Sequence, residues 1–387
     1  MDVSEWPKIK LKEVFDLSSG KTKPNDIVNV MDSEHPYPVY GGNGIIGYSG
    51  SLILNNDAIV IGRVGAYCGT VRYVNEKCWV TDNAIYTNSI NEDYDPRFLK
   101  ELLSFKKLHR LRNKGGQPLI SQKPIYNLRL SIPYKSEQIK IRKALSIWDE
   151  AISKAEKLIQ AKKQYKKGLM QRLLTGKVRF PEFEGDEWIH VKLGDIFIRI
   201  RDKNEGKAEN VLTISSKGGF LDQTDKFGGV IAGKNLENYT YIERGDFAYN
   251  KGNSLTYPQG CIFKLEDYDH AAVPNVYYCF RAYSKTINTD FYKYYFELGL
   301  LNRQLKKVIN KGVRNDGLLN LSAKDFFKLK VKKPPYYEQK KIAEAIEPID
   351  KEIELLSKKL SALKKQKKGL TQKLLTGKIR VNNLEIA

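Results

Sequence analysis

The groups best able to do covalent chemistry are few, and each lacks a necessary part. Lys333-Pro334-Pro335-Tyr336 approaches the Asn/Asp/Ser-Pro-Pro motif of adenine methyltransferases, in which a side-chain oxygen accepts from the adenine amino group. Lysine has no acceptor. Gly42-Asn43-Gly44-Ile45-Ile46-Gly47 has the formal spacing of a dinucleotide-binding loop, but Tyr48 to Leu54 reads as turn and strand, leaving no helix N-terminus for a phosphate. Gly20-Lys21-Thr22 lacks the glycine that a P-loop needs five positions earlier, where Phe15 stands. His35, His109, His190 and His270 have no ligand or triad spacing, and Cys68, Cys78, Cys261 and Cys279 form no CxxC pair. The cysteines are expected to be reduced core thiols, with no metal, and the chain to be non-catalytic.

What remains is binding chemistry. Base edges in DNA are read by Arg, Lys, Asn and Gln on loops or helix ends, and phosphates are neutralised by Lys and Arg. Polar donors beside glycine fit that use, because glycine lets the backbone approach a phosphate. In the first half of the chain these are Lys21, Asn43, Arg63 in Gly62-Arg63-Val64-Gly65, and Lys114 and Gln117 in Asn113-Lys114-Gly115-Gly116-Gln117. In the second they are Asn250, Lys251 and Asn253, then Lys311, Arg314 and Asn315. Tyr277, Tyr278, Tyr292, Tyr294 and Tyr295 are expected to pack in cores rather than stack on bases.

Composition agrees with such a partner. The 387 residues carry 66 Lys+Arg against 45 Asp+Glu, a formal charge of +21, which points to a polyanion. With 41% hydrophobic and 11% aromatic residues the chain should be globular and long enough for two or three cores. No charged-then-apolar leader follows Met1 and no apolar run approaches a membrane span, so a cytoplasmic protein is expected.

The chain repeats itself. Glu137-Gln138 recurs as Glu338-Gln339, and Lys166-Lys167-Gly168-Leu169 through Leu173-Leu174-Thr175-Gly176-Lys177 recurs as Lys367-Lys368-Gly369-Leu370 through Leu374-Leu375-Thr376-Gly377-Lys378. Trp6 and Trp188 open the two copies, and Leu128–Pro133 and Leu329–Pro334 both alternate as a strand would. Each half is therefore a variable globular unit followed by a shared segment: residues 1–134 and 135–180, then 181–335 and 336–387.

The shared segments read as long helices. Ile141, Leu145, Trp148, Ile152 and Ile159 in the first, and Ile342, Ile346, Ile349, Ile353, Leu356 and Leu360 in the second, recur at spacings of four and three. That is a helix-packing seam, about 57 Å long at 1.5 Å per residue for about 38 residues, with Pro348 as a possible kink. Lys162 to Arg179 holds seven basic residues and no acid, and Lys358 to Arg380 nine and none, whereas the leading halves are neutral or acidic. Antiparallel pairing sets each basic half against the other helix's less basic half. The fold class predicted is α+β: two similar globular α/β domains separated by two long helices packed as an antiparallel coiled coil, a tandem repeat with approximate two-fold symmetry.

These residues resemble the specificity subunit of a type I DNA restriction-modification system. The marks are Pro133 with Glu137-Gln138, Pro334 or Pro335 with Glu338-Gln339, the two Lys-Lys-Gly-Leu…Leu-Leu-Thr-Gly-Lys runs, Trp6/Leu11 and Trp188/Leu193, and Trp79-Val80-Thr81-Asp82-Asn83-Ala84. The resemblance implies two target-recognition domains that read a two-part double-stranded DNA sequence across an unread gap. It also implies two adenine-N6 methyltransferase subunits and restriction (motor-nuclease) subunits as partners, with S-adenosylmethionine, ATP and Mg belonging to those partners and no cofactor in this chain. A non-catalytic coiled-coil scaffold that binds other proteins is the alternative. Residues 135–180 hold 13 basic and 4 acidic side chains and residues 336–381 hold 12 and 6, so most of the excess charge sits on the helices.

Overall fold

A computed structural model describes residues 6–113, 115–215, 219–228, 233–252, 256–309 and 318–381. Two compact units form, residues 1–157 with 358–387 and residues 158–357, and each long helix gives one half to each unit.

In the first unit a four-stranded antiparallel sheet runs in the order Phe15–Ser19, Ala84–Ile90, Ala58–Gly62, Val71–Val74. A smaller sheet joins the hairpin Tyr37–Gly41/Gly44–Ser49 to Trp79–Val80. Lys8–Lys10 pairs antiparallel with Arg129–Ser131, the alternating stretch that leads into the first long helix. Helix Pro96–Phe105 starts where Asp95 accepts from the Phe98 N–H at 2.8 Å and Pro96 presets the first turn. Its Phe98, Leu99, Leu102 and Leu103 face the core. That core also takes Ile141 and Leu145 from the first long helix and Leu374 and Leu375 from the second.

The second unit repeats the plan with different residues. Its four-stranded sheet runs Phe197–Ile200, Tyr278–Ala282, Phe247–Asn250, Cys261–Lys264, the same order of connection. Ile189–Lys192 pairs with Lys330–Lys333, and Asn288 caps helix Thr289–Glu297 by accepting from Phe291 at 2.9 Å. The core is aromatic: Phe197, Phe247, Phe280 and Phe296 pack at ring-centre distances of 5.2 to 6.2 Å. Tyr277, Tyr278, Tyr292, Tyr294 and Tyr295 are buried, as the sequence predicts.

The long helices span Lys135–Leu173 and Tyr336–Leu375, 39 and 40 residues, and the second continues through Pro348. In the first unit Asp149 meets Lys367 at 2.5 Å and Glu156 meets Lys364 at 2.6 Å. In the second Lys162 meets Glu352 and Lys166 meets Asp350, each at 2.7 Å. One number rises as the other falls, so within each unit the two helices run antiparallel, as their charge pattern requires. Of the predicted seam, Ile141, Leu145, Ile159, Ile342 and Ile346 are buried, while Trp148, Ile152, Ile349, Ile353, Leu356 and Leu360 stay partly exposed. A two-helix contact covers each helix on one side only. Ile141, Leu145, Ile342 and Ile346 are covered further because they also join a globular core.

The repeated Glu-Gln pairs act as clasps. Glu137, 3% exposed, accepts from Trp6 Nε1 at 3.1 Å and from Arg380 Nε and Nη2, each at 2.8 Å. Glu338, fully buried, accepts from Trp188 Nε1 at 2.7 Å and from Arg179 Nε and Nη2 at 2.9 and 2.6 Å. Each guanidinium also lies over its tryptophan, 5.5 Å away at Trp6 and 5.6 Å at Trp188. Gly176 and Gly377 follow the helices in the left-handed region, φ +72° and +71°, where a side chain is strained; a Cβ would stand 3.5 and 3.6 Å from the same two rings.

The neighbouring glutamines fix the globular part. Gln138 Oε1 accepts from Asp95 N at 2.8 Å while its Nε2 donates to Pro133 O at 2.8 Å; Gln339 accepts from Asn288 N at 2.9 Å and donates to Pro334 O at 2.8 Å. Asp95 and Asn288 are the caps of the two corresponding helices. Replacing Gln339 with Leu strands a backbone donor and a backbone acceptor, so it is expected to cost about 3 kcal/mol in denaturant unfolding. A loss under about 1 kcal/mol would show that the clasp does not hold the second unit.

Candidate nucleic-acid interface

In the first unit five loops converge at one end of the larger sheet. Ser19 and Gly62 end their strands there and Ala84 begins the strand between them. Backbone bonds tie the loops: Lys21 N to Val80 O at 3.0 Å, Thr81 N to Tyr40 O at 2.8 Å, Arg63 N to Asn83 O at 2.9 Å. Ile120 N donates to Arg63 O at 2.9 Å and Gly65 N to Pro118 O at 2.9 Å, which brings in the loop of Gln117. The packing demands glycine at position 62, where a Cβ would come within 2.5 Å of the Gly42 carbonyl oxygen.

Lys21, Asn43, Arg63 and Gln117, chosen from sequence, therefore belong to one loop cluster. Lys21, Asn43 and Gln117 are exposed. Arg63 is half-buried, its Nε has no hydrogen-bond partner, and it makes no ion pair among the described residues. An arginine held without a carboxylate is a cation available to a ligand. Lys114 lies outside the described residues.

The second unit has the matching feature. Lys251 follows strand Phe247–Asn250 as Arg63 follows Ala58–Gly62, and Leu319 N donates to Lys251 O at 2.9 Å as Ile120 N does to Arg63 O. The flanking bridges, Gly252 to Leu318 and Val64 to Leu119, correspond too. Asn250 Oδ1 accepts from Gly252 N at 2.8 Å and shapes the turn. Asn253, Lys311, Arg314 and Asn315 lie outside the described residues.

Sequence reasoning missed the residues that brace these cations. Lys251 Nζ sits 4.6 Å from the Tyr278 ring centre and the Arg199 guanidinium 5.1 Å from the same ring, whose hydroxyl donates to Leu321 O at 2.5 Å. In the first unit Arg72 Nη2 donates to Asn43 O at 2.6 Å and Nη1 to Gly42 O at 3.4 Å, holding the hairpin turn. An arginine inside an apolar strand (Phe197-Ile198-Arg199-Ile200, Val71-Arg72-Tyr73-Val74) is the available signal.

The cations of the long helices are arranged otherwise. Arg179, Arg380, Lys162, Lys364 and Lys367 all bond carboxylates, and Lys166, 7% exposed, bonds Glu297 and Asp350, each at 2.7 Å. All four cysteines are free thiols; burial pushes Cys78 up to about 12 and Cys261 up to about 11, far from a reactive thiolate. Among the described residues no group of three or more His, Cys, Asp or Glu could hold a metal ion, and no helix is long and apolar enough to cross a membrane.

Residues 3–163 and 185–365 match the type I restriction modification DNA specificity domain. The MjaVIII type I restriction enzyme specificity subunit of Methanocaldococcus jannaschii is 25% identical over 98% of this chain and 94% of its own length. The EcoprrI specificity subunit of Escherichia coli is 27% identical over 38% of this chain and 37% of its own. Among solved structures, the type I restriction-modification S subunit from M. genitalium shares the fold, with a TM-score of 0.63 at 17% identity and 97% coverage of both chains.

If Arg63 and Lys251 touch DNA, Arg63→Ala and Lys251→Ala should each reduce the slope of log affinity against log salt by about 0.9, one phosphate contact. Salt titration of binding measures this directly. Slopes equal to wild type for both variants would place the pair outside the interface.

Proposed function

The chain belongs to the type I restriction modification DNA specificity family, and from that premise we propose that it is the non-catalytic subunit that reads a bipartite double-stranded DNA target. Each globular unit reads one half-site and the long helices fix the unread gap between them. Two adenine-N6 methyltransferase subunits and the restriction subunits dock on the chain in the cytoplasm and carry S-adenosylmethionine, ATP and Mg.

The observation that carries this reading is the equivalent placement of Arg63 and Lys251. Two units with different loop residues keep, at the same point of the same sheet order, a cation with no carboxylate partner among the described residues. Unlike loops on a shared frame are what two different half-sites call for. The missing acceptor at Lys333, ahead of Pro334-Pro335, supports leaving methyl transfer to the partner subunits.

Sequencing of methylated DNA from cells co-expressing the chain and its modification subunits tests the proposal. Two unlike half-sites separated by a gap of fixed length are expected, with Arg63→Ala altering one half and Lys251→Ala the other. Methylation at a continuous site, both halves changing together, or methyl transfer by the purified chain alone would contradict it. A protein-binding scaffold, the alternative, would show no site-specific, salt-sensitive DNA affinity.

A further inference from the structure

Between residues 6 and 133 the exposed large apolar residues among those described are Val30, Met31, Ile45, Ile46 and Tyr67, at 45 to 76%. Val28 exchanges backbone bonds with Tyr48 at 2.9 and 2.8 Å, which lays the segment before Val30 beside the second strand of the hairpin Tyr37–Ser49. Tyr67 belongs to the turn whose backbone, with that of Gly42, crowds Gly62. Ile45, Ile46 and Tyr67 thus stand beside the loop cluster that holds Asn43 and Arg63, whereas the segment of Val30 and Met31 leads from Tyr48 towards Gly50, at the other end of the hairpin.

The hairpin carries its polar tip outward. Its first strand pairs with Trp79–Val80, making the sheet three-stranded, and its turn, Gly42-Asn43, is held by the Arg72 guanidinium, with Asn43 exposed at the tip and Ile45 and Ile46 directly behind it. An exposed asparagine backed by apolar side chains matches what the major groove of B-DNA displays. The base edges there offer one apolar feature, the thymine C5-methyl, and asparagine pairs best with adenine N6 and N7. We propose that the tip of this hairpin reads bases for the first unit, with Ile45 and Ile46 against the methyl groups of thymines in the first half-site. The proposal rests on the DNA-reading function above and adds the element, the groove and the base.

The test uses the full chain assembled with its modification subunits, and duplexes carrying the methylated motif. The first half-site is the one that Arg63→Ala alters. Replacing its thymines with uracil removes only the methyl groups and should weaken wild-type binding about fourfold per buried methyl, while the same replacement in the second half-site should not involve this hairpin. Ile45→Ala/Ile46→Ala should bind the thymine and uracil duplexes alike, and Ile45→Ala alone serves if the double variant is unstable. Wild-type indifference to uracil there, or full discrimination in the variant, overturns the proposal. So does loss of the modification subunits from the variant, which would make the patch a protein dock. A wild-type complex that does not separate the motif from scrambled DNA would instead fail the DNA-reading function itself.

Discussion

The structure depends on two buried carboxylates. Taking Glu137 and Glu338 out of water costs several kcal/mol unless each is paired and its lone pairs filled, and in both cases an arginine and an indole N–H fill them. The partners come from remote parts of the chain: Arg380 lies 243 residues from Glu137, and Arg179 lies 159 residues from Glu338. Each clasp joins the start of one long helix to the tail of the other and to the first tryptophan of a globular unit. Within each unit that connection is possible only if the helices run antiparallel. The adjacent glutamine extends the hold to the cap of a globular helix, so one dipeptide sets helix direction and domain attachment together.

Charge divides into two uses. The helical segments hold most of the +21 excess, and six of their cations, Lys162, Lys166, Arg179, Lys364, Lys367 and Arg380, bond carboxylates of the facing helix. Such pairs are worth little one by one when exposed, but together they disfavour a parallel arrangement that would set basic half against basic half. The candidate reading cations are fewer and differently built. Arg63 and Lys251 have no carboxylate partner among the described residues, and Lys251 rests on an aromatic ring instead. Net charge points to a polyanion, and the cations without a carboxylate partner among the described residues are where we propose it is met.

Periodicity and repetition made much of the frame legible. The helix spans, their opposed directions and the strands before each helix follow from apolar spacing, charge asymmetry and alternation, which are local properties of sequence. Glu137-Gln138 and Glu338-Gln339 stood out as repeated residues, but their role did not, because it lies in contacts with Trp6, Arg380, Trp188 and Arg179. The same holds for the candidate interface. Glycine beside a polar residue singles out Lys21, Asn43, Arg63 and Lys251 in the sequence, whereas Arg72 and Arg199 act through a turn and a ring that only the folded chain brings near. In the sequence Ile45 and Ile46 enter only as part of a formal dinucleotide-loop spacing; their exposure is a property of the fold.

The claim on which the rest stands is that a buried Glu–Arg pair closes each clasp. A double-mutant cycle on Glu338 and Arg179 tests it most directly, with Glu338→Gln, Arg179→Met and the double variant compared by urea unfolding. Either single change is predicted to cost about 3 kcal/mol, because it leaves the other charge buried without its partner, and the double variant to cost no more than one of them. Single losses that add to within about 0.5 kcal/mol in the double variant would contradict the account.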